Sequence, residues 1–242
     1  MIPLTRRDFG SGIASLAAGS ASLVEPVLRL PPSDRPTVAL TLDACPGGFD
    51  ERLARALTEN GIPATIFVTS LWLRHNPNGL ALLLAHRDLF SFQNHGERHL
   101  PPVLGTASVY GLRTAGTLAG IRTEITLGAD TIAAATGDRP QWYRGAAALY
   151  SPEAIPAIRQ MGCGIGGFSL NADAGASLPT ARVVARIAKA RDGDVIIGHI
   201  NQPLRPSGAG IAAGVLALKR QGMMFARLPS IPHEYRSDQT AM

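Results

Sequence analysis

Six residues are of types that do chemistry and stand where a fold can aim them. Asp43 ends the apolar run Ala39-Leu40-Thr41-Leu42. His95 and His99 stand four apart in Asn94-His95-Gly96-Glu97-Arg98-His99. Arg144 follows Trp142-Tyr143, Asp173 follows an apolar stretch, and His199 ends Ile196-Ile197-Gly198. A carboxylate at the carboxyl end of a buried strand is costly unless it has work there. Two imidazoles four apart face the same way if their segment turns helically. Such a pair suits a borderline metal such as zinc, with a carboxylate or water as further ligand. Taken alone, H-x-x-x-H is more often surface dressing than a ligand pair. An arginine set between Trp142-Tyr143 and Ala146-Ala147-Ala148 wants a carboxylate partner. Asp173 also fits a turn. His75, His86 and His233 fall in loops or helix ends without comparable partners and read as structural.

These residues need elements to position them, and the hydrophobic pattern supplies an alternation. Strands are expected at Thr37–Leu42, Ala64–Val68, Leu89–Gln93, Gln141–Tyr143, Gly164–Leu170, Asp194–Gly198 and Met223–Leu228. Helices are expected at Phe49–Asn60, Asn78–Ala85, a long segment ending at Gly137, Pro152–Met161, Thr180–Ala190 and Gly208–Gln221. A long loop runs from Leu100 to Ala115. Regular βα alternation implies a parallel sheet with right-handed crossovers. An eight-unit barrel takes about 250 residues, so this length suits a single-domain α/β fold, an irregular or incomplete (β/α)7 barrel. A doubly wound open sheet is the alternative. In the barrel, Asp43, His95, Arg144, Asp173 and His199 all fall at carboxyl ends of strands, where barrel sites are built.

The chain has 242 residues, 45% hydrophobic and 17% charged, with a net charge of +5. That is ordinary globular composition. Lys is scarce and the arginines are scattered, with no basic stripe and interleaved aromatics, so nucleic-acid binding is not indicated. Residues 1–24 read as a twin-arginine export signal: Thr5-Arg6-Arg7-Asp8-Phe9, then a weakly apolar small-residue run. That run is too short and too poor in Leu and Ile for a stable membrane span. The signal implies the twin-arginine export machinery as a partner and a periplasmic or secreted destination. Residues 25–36 read as a linker, 37–230 as the domain and 231–242 as a loose tail. Cys45 follows the end of one strand and Cys163 precedes the start of another. Those are opposite faces of a parallel sheet, too far apart for a disulfide.

Taken with these motifs, the stretch from Pro36 to Leu228 resembles the NodB-type polysaccharide deacetylase family. The family's T-F-D-D-G-P is matched by Thr41-Leu42-Asp43-Ala44-Cys45-Pro46, and its H-S/T-x-x-H by His95–His99. Its R-x-P-x-G appears as Arg144-Gly145-Ala146, its fourth-motif Asp as Asp173, and its L-x-H as Ile197-Gly198-His199. The resemblance implies a distorted (β/α) barrel. It also implies a metal-dependent hydrolase that removes N-acetyl groups from a polysaccharide or peptidoglycan sugar. By the same resemblance His95 and His99 are metal ligands and Asp43 is the general base, held ionised by Arg144. His199 is then the general acid, oriented by Asp173. The family's second Asp, its usual third metal ligand, is here Ala44. Three outcomes follow: Asp43 binds the metal itself, Cys45 supplies a thiolate, or metal binding is weak or lost. The first is the reading adopted, with His95, His99 and Asp43 around a divalent metal, expected to be zinc. The alternatives are a carbohydrate-binding barrel that has lost its metal site and a hydrolase of other carbon–nitrogen bonds such as cyclic amides.

Overall fold

The computed structural model describes residues 22–105 and 108–231. Most of the expected export signal and all but the first residue of the expected tail lie outside these residues. The strands are β1 (Thr37–Ala44), β2 (Ala64–Val68), β3 (Phe90–Asn94), β4 (Ser108–Val109), β5 (Leu112–Arg113), β6 (Trp142–Tyr143), β7 (Gly164–Ile165), β8 (Leu170–Asn171), β9 (Val195–His199) and β10 (Met224–Ala226). The helices are α1 (Glu51–Glu59), α2 (Ser70–His75), α3 (Pro77–Leu84), α4 (Leu118–Thr136), α5 (Ala154–Gln160), α6 (Thr180–Ile187) and α7 (Ser207–Arg220).

The main sheet runs β7-β6-β3-β2-β1-β9-β8, with β10 paired to the first half of β1. Every pair in it is parallel. The sheet is curled into an incomplete barrel in one α/β domain, as the alternation implied. All its strands therefore end at one rim. β1 is central because its residues are apolar on both faces, the signature of a strand covered on two sides. Val38, Leu40, Leu42 and Ala44 pack outward into the layer shared with Leu53, Leu57, Trp72 and Ile211. Ala39 faces inward with Phe67, Val195 and Ile197. Thr41 and Asp43 share that inward parity.

Local chemistry sets the element ends. Asp50 caps α1, its side chain accepting from the Leu53 amide, and Thr117 caps α4 through the Gly120 amide. α4 stops at Gly137, whose φ of 82° is left-handed. The expected strand Gly164–Leu170 is split into β7 and β8. Gly166 and Gly167 cause the break: a Cβ on Gly166 would meet Phe67 at 2.5 Å, and one on Gly167 would meet the Pro26 carbonyl oxygen at 2.2 Å. The expected loop after Leu100 contains the β4–β5 hairpin. A short helix, α2, follows β2 directly and is an addition to the expected pattern.

Residues 22–30 run along Tyr150, the connection from β7 to β8, and the turn before β9. Val24 bridges Tyr150 and Arg29 bridges Asp194, both antiparallel. Between them the Phe168 amide donates to Pro26 O, and just past Arg29 the Leu30 amide donates to Gly193 O at 2.8 Å. Leu28 and Leu30 pack against the inner cluster of Phe67, Phe168 and Val195. No helix among the described residues is long and apolar enough to cross a membrane.

Candidate functional site

At the rim, register places Asp43 of β1 directly opposite His199 of β9. Arg144 reaches the same point from the end of β6. Its guanidinium is wholly buried and every bond it makes is accounted for. Nη1 donates to Asp43 Oδ1 at 2.7 Å and Nη2 to Thr41 Oγ1 at 2.9 Å. Nε donates to Gly166 O at 2.6 Å, and Nη2 also to Gly167 O at 3.1 Å. The group lies 4.1 Å over the Phe67 ring. The kink that divides β7 from β8 thus turns two carbonyls onto the arginine. Burial alone would raise the Asp43 pKa, but Arg144, His95 and His199 together hold it below the ordinary carboxylate value.

The second pair joins the end of β9 to the loop after β8. Asp173, fully buried, accepts from His199 Nδ1 at 2.9 Å and from the His199 amide at 2.9 Å. One carboxylate therefore fixes both ring and backbone, and leaves Nε2 pointing to the cleft. Burial opposes protonation of His199, but the bond to Asp173, with a smaller contribution from Cys45, outweighs it and the ring pKa is raised well above the usual histidine value.

Between the pairs lie three donor atoms. His95 follows β3, and its Nδ1 is 2.7 Å from the Arg144 carbonyl oxygen. That bond makes Nδ1 the protonated nitrogen and frees Nε2 as a lone-pair donor. His95 Nε2 faces His99 Nε2 at 3.2 Å and Cys45 Sγ at 3.4 Å. Cys45, His95 and His99 form a group whose donor atoms all lie within 4.8 Å of one another. Asp43, expected as the third ligand, stands outside that group, with Oδ2 3.7 Å from His95 Nε2. Burial would raise the Cys45 pKa, but His95 beside it and bonds to the surrounding imidazoles bring it well below the ordinary thiol value. Cys45 continues the inward parity of Thr41 and Asp43, while Ala44 faces the helix layer.

Glu124 is a further residue of the site that the motifs do not reveal. It lies on α4, fully buried, and its Oε1 accepts from the Arg98 amide at 2.7 Å and the Leu100 amide at 3.1 Å. These amides flank His99, whose φ of 63° is left-handed. Glu124 therefore holds a strained turn in the conformation that aims His99 at His95. A signal for it exists in the sequence: Glu124 falls on the apolar stripe Ile121, Ile125, Gly128, Ile132, where a charge is out of place.

The cleft above these groups has a volume of about 1000 Å3 and is open to solvent. Its walls include Tyr110 from the β4–β5 hairpin, Ala147, Phe168 and Arg205. Ala147 and Ala174, in loops on this rim, have φ of 61° and 49°. All six residues singled out by type and spacing are at one place, and Cys45 joins them.

The sequence profile of the polysaccharide deacetylase family matches residues 31–165. Among solved structures, a peptidoglycan N-acetylglucosamine deacetylase is 18% identical, with 84% of this chain and 90% of that one aligned at a TM-score of 0.69. A family 4 carbohydrate esterase from Streptomyces lividans, solved with acetate, is 22% identical over 82% of this chain and 95% of that one, with a TM-score of 0.65. A CE4 family pseudoenzyme from Bacillus anthracis is 18% identical over 85% of this chain and 68% of that one, with a TM-score of 0.65. These likenesses establish the fold. No curated protein matches the sequence.

Proposed function

The chain belongs to the polysaccharide deacetylase family, and from that premise we propose that it is an exported, metal-dependent hydrolase removing acetyl groups from N-acetylated carbohydrate, of polysaccharide or peptidoglycan. The observation that carries this reading is the pairing of two oppositely tuned groups across the cleft, Asp43 with Arg144 and His199 with Asp173. Amide hydrolysis needs a base for the attacking water and an acid for the departing nitrogen, and efficient catalysis sets their pKa values apart.

His95 and His99 suit a divalent cation, expected to be zinc, because their Nε2 atoms converge at 3.2 Å beside Cys45 Sγ. When bound, such a cation supplies Lewis acidity that lowers the pKa of water and polarises a carbonyl. Asp43, kept ionised by Arg144, takes the proton from the attacking water. The new C–O bond forms at the acetyl carbon while the carbonyl electrons move to its oxygen. His199 then gives its Nε2 proton to the sugar nitrogen as the C–N bond breaks, and acetate and free amine leave. Asp173 keeps the donating nitrogen facing the cleft. Of the backbone donors after β6, the Arg144 and Gly145 amides already serve Asn94 O and Tyr150 Oη. Part of the oxyanion role is then assigned to the loop at Ala147, which lines the cleft.

Acetate release from chito-oligosaccharides or peptidoglycan fragments tests the reading. His199→Ala is expected to lower the rate by roughly 10²–10⁴-fold. Full activity in a metal-free His95→Ala, His99→Ala double variant would refute it. A second reading, a carbohydrate-binding barrel without turnover, is favoured by one residue, Ala44, where the resembling motif carries a second acid. It predicts sugar binding with no acetate released. Export through the twin-arginine machinery to the periplasm or exterior rests on Arg6-Arg7 and the run that follows. Arg6→Lys, Arg7→Lys should retain the protein in the cytoplasmic fraction.

A further inference from the structure

Within this reading, in which His95 and His99 hold a divalent cation, we infer that the third protein ligand is the Cys45 thiolate, so that the site selects a thiophilic metal and Asp43 is left free of ligand duty.

Three observations converge on this assignment. The first is distance. Zinc binds imidazole nitrogen at about 2.0–2.1 Å and thiolate at about 2.3 Å in tetrahedral sites, which separates two nitrogens by about 3.3 Å and nitrogen from sulfur by about 3.6 Å. The separations found are 3.2 Å for His95 and His99 and 3.4 Å for His95 and Cys45. The second is orientation. His95 Nδ1 donates to the Arg144 carbonyl, the outer partner that fixes a ligating imidazole with Nε2 inward. Glu124 does the corresponding work for the turn that carries His99.

The third observation concerns Asp43. Its Oδ1 is taken by Arg144, and the carboxylate falls outside the group of mutually close donors that Cys45 completes. Arg144 cannot yield it without leaving a buried guanidinium uncompensated. Parity explains the exchange of roles. Thr41, Asp43 and Cys45 alternate onto the inward face, while Ala44 packs with the helices. A thiolate with two imidazoles is a soft to borderline donor set, suited to zinc or cobalt and poor for magnesium or calcium.

Titration of the purified full chain with cobalt(II) alone tests the ligand without requiring turnover. The expected result is one equivalent bound, with a near-ultraviolet thiolate-to-cobalt charge-transfer band. Cys45→Ser should abolish the band and weaken cobalt binding by more than about tenfold. Cys163→Ser should keep the band, as should Asp43→Asn, which also keeps the metal content. Four results overturn the inference: no cobalt bound by the wild type, cobalt bound without the band, a band that survives Cys45→Ser, or loss of metal on Asp43→Asn. An acetyl group trapped on Cys45 after incubation with substrate in chelator would also overturn it, because the thiolate would then be a nucleophile. The two readings fail separately. Acetate release with no charge-transfer band removes the thiolate ligand alone. The band without acetate release removes the deacetylase alone.

Discussion

The two buried ion pairs make opposite statements about pH. Arg144 lowers the Asp43 pKa, so replacing it with Lys, which lacks the planar fork, lets that carboxyl rise. A base must be ionised to act, so the acidic limb of kcat/KM is expected to move to higher pH. Asp173 raises the His199 pKa, so Asp173→Asn lets the ring fall. An acid must be protonated to act, so the alkaline limb is expected to move to lower pH. Profiles of the two variants should each narrow the wild-type bell, from opposite sides. A limb that stays in place would remove the assigned role. These residues were legible in the sequence because each follows an apolar run, and a charge at the end of such a run is conspicuous. The part proposed for Cys45 was legible only as one of three outcomes. It lies one residue past β1, where strand parity no longer has to hold, and only the packing of Ala44 shows that it does.

At the scale of elements, the ligand turn depends on a helix that contributes no ligand. Glu124→Gln keeps the size of the side chain but weakens its bonds to the Arg98 and Leu100 amides. Metal affinity, measured by chelator competition, is expected to fall by roughly 10–100-fold while the melting temperature changes little. Equal losses of affinity and stability would make the residue merely structural. The strands were read correctly in order because hydrophobic runs and turn residues alternate so regularly. The break between β7 and β8 escaped that reading because Gly166-Gly167 sits inside a run whose composition is otherwise that of a strand. Its cause lies in distant residues, Phe67 and Pro26, which no local pattern includes. The β4–β5 hairpin escaped for a different reason: strands of two residues carry no period.

At the scale of the molecule, residues 22–30 tie together Tyr150, the connection from β7 to β8 and the turn before β9. Local composition gives no hint of this, because the bonds are backbone bonds to Tyr150, Phe168 and Gly193. Leu28→Ala and Leu30→Ala should each cost about 1–2 kcal/mol in urea denaturation, less than the roughly 2–5 kcal/mol of a fully buried leucine because both are only partly covered. No change in either would mean that the segment rests on the barrel without supporting it. The separation of the two cysteines has a consequence of another kind. Cys45 lies at the rim where strands end, whereas Cys163 precedes β7 at the opposite edge. A low-pKa thiolate is the form that peroxide attacks, and its sulfenic acid is protected from further oxidation within the protein by a second thiol near enough to condense with it. None is within reach of Cys45, so oxidation there should run on to the irreversible sulfinic acid. Peroxide is expected to inactivate chelator-stripped protein faster than metal-loaded protein, with the added oxygens on Cys45 by mass spectrometry and no recovery in dithiothreitol. In an oxidising compartment, a cation held at the proposed site would then also set the working lifetime of the protein.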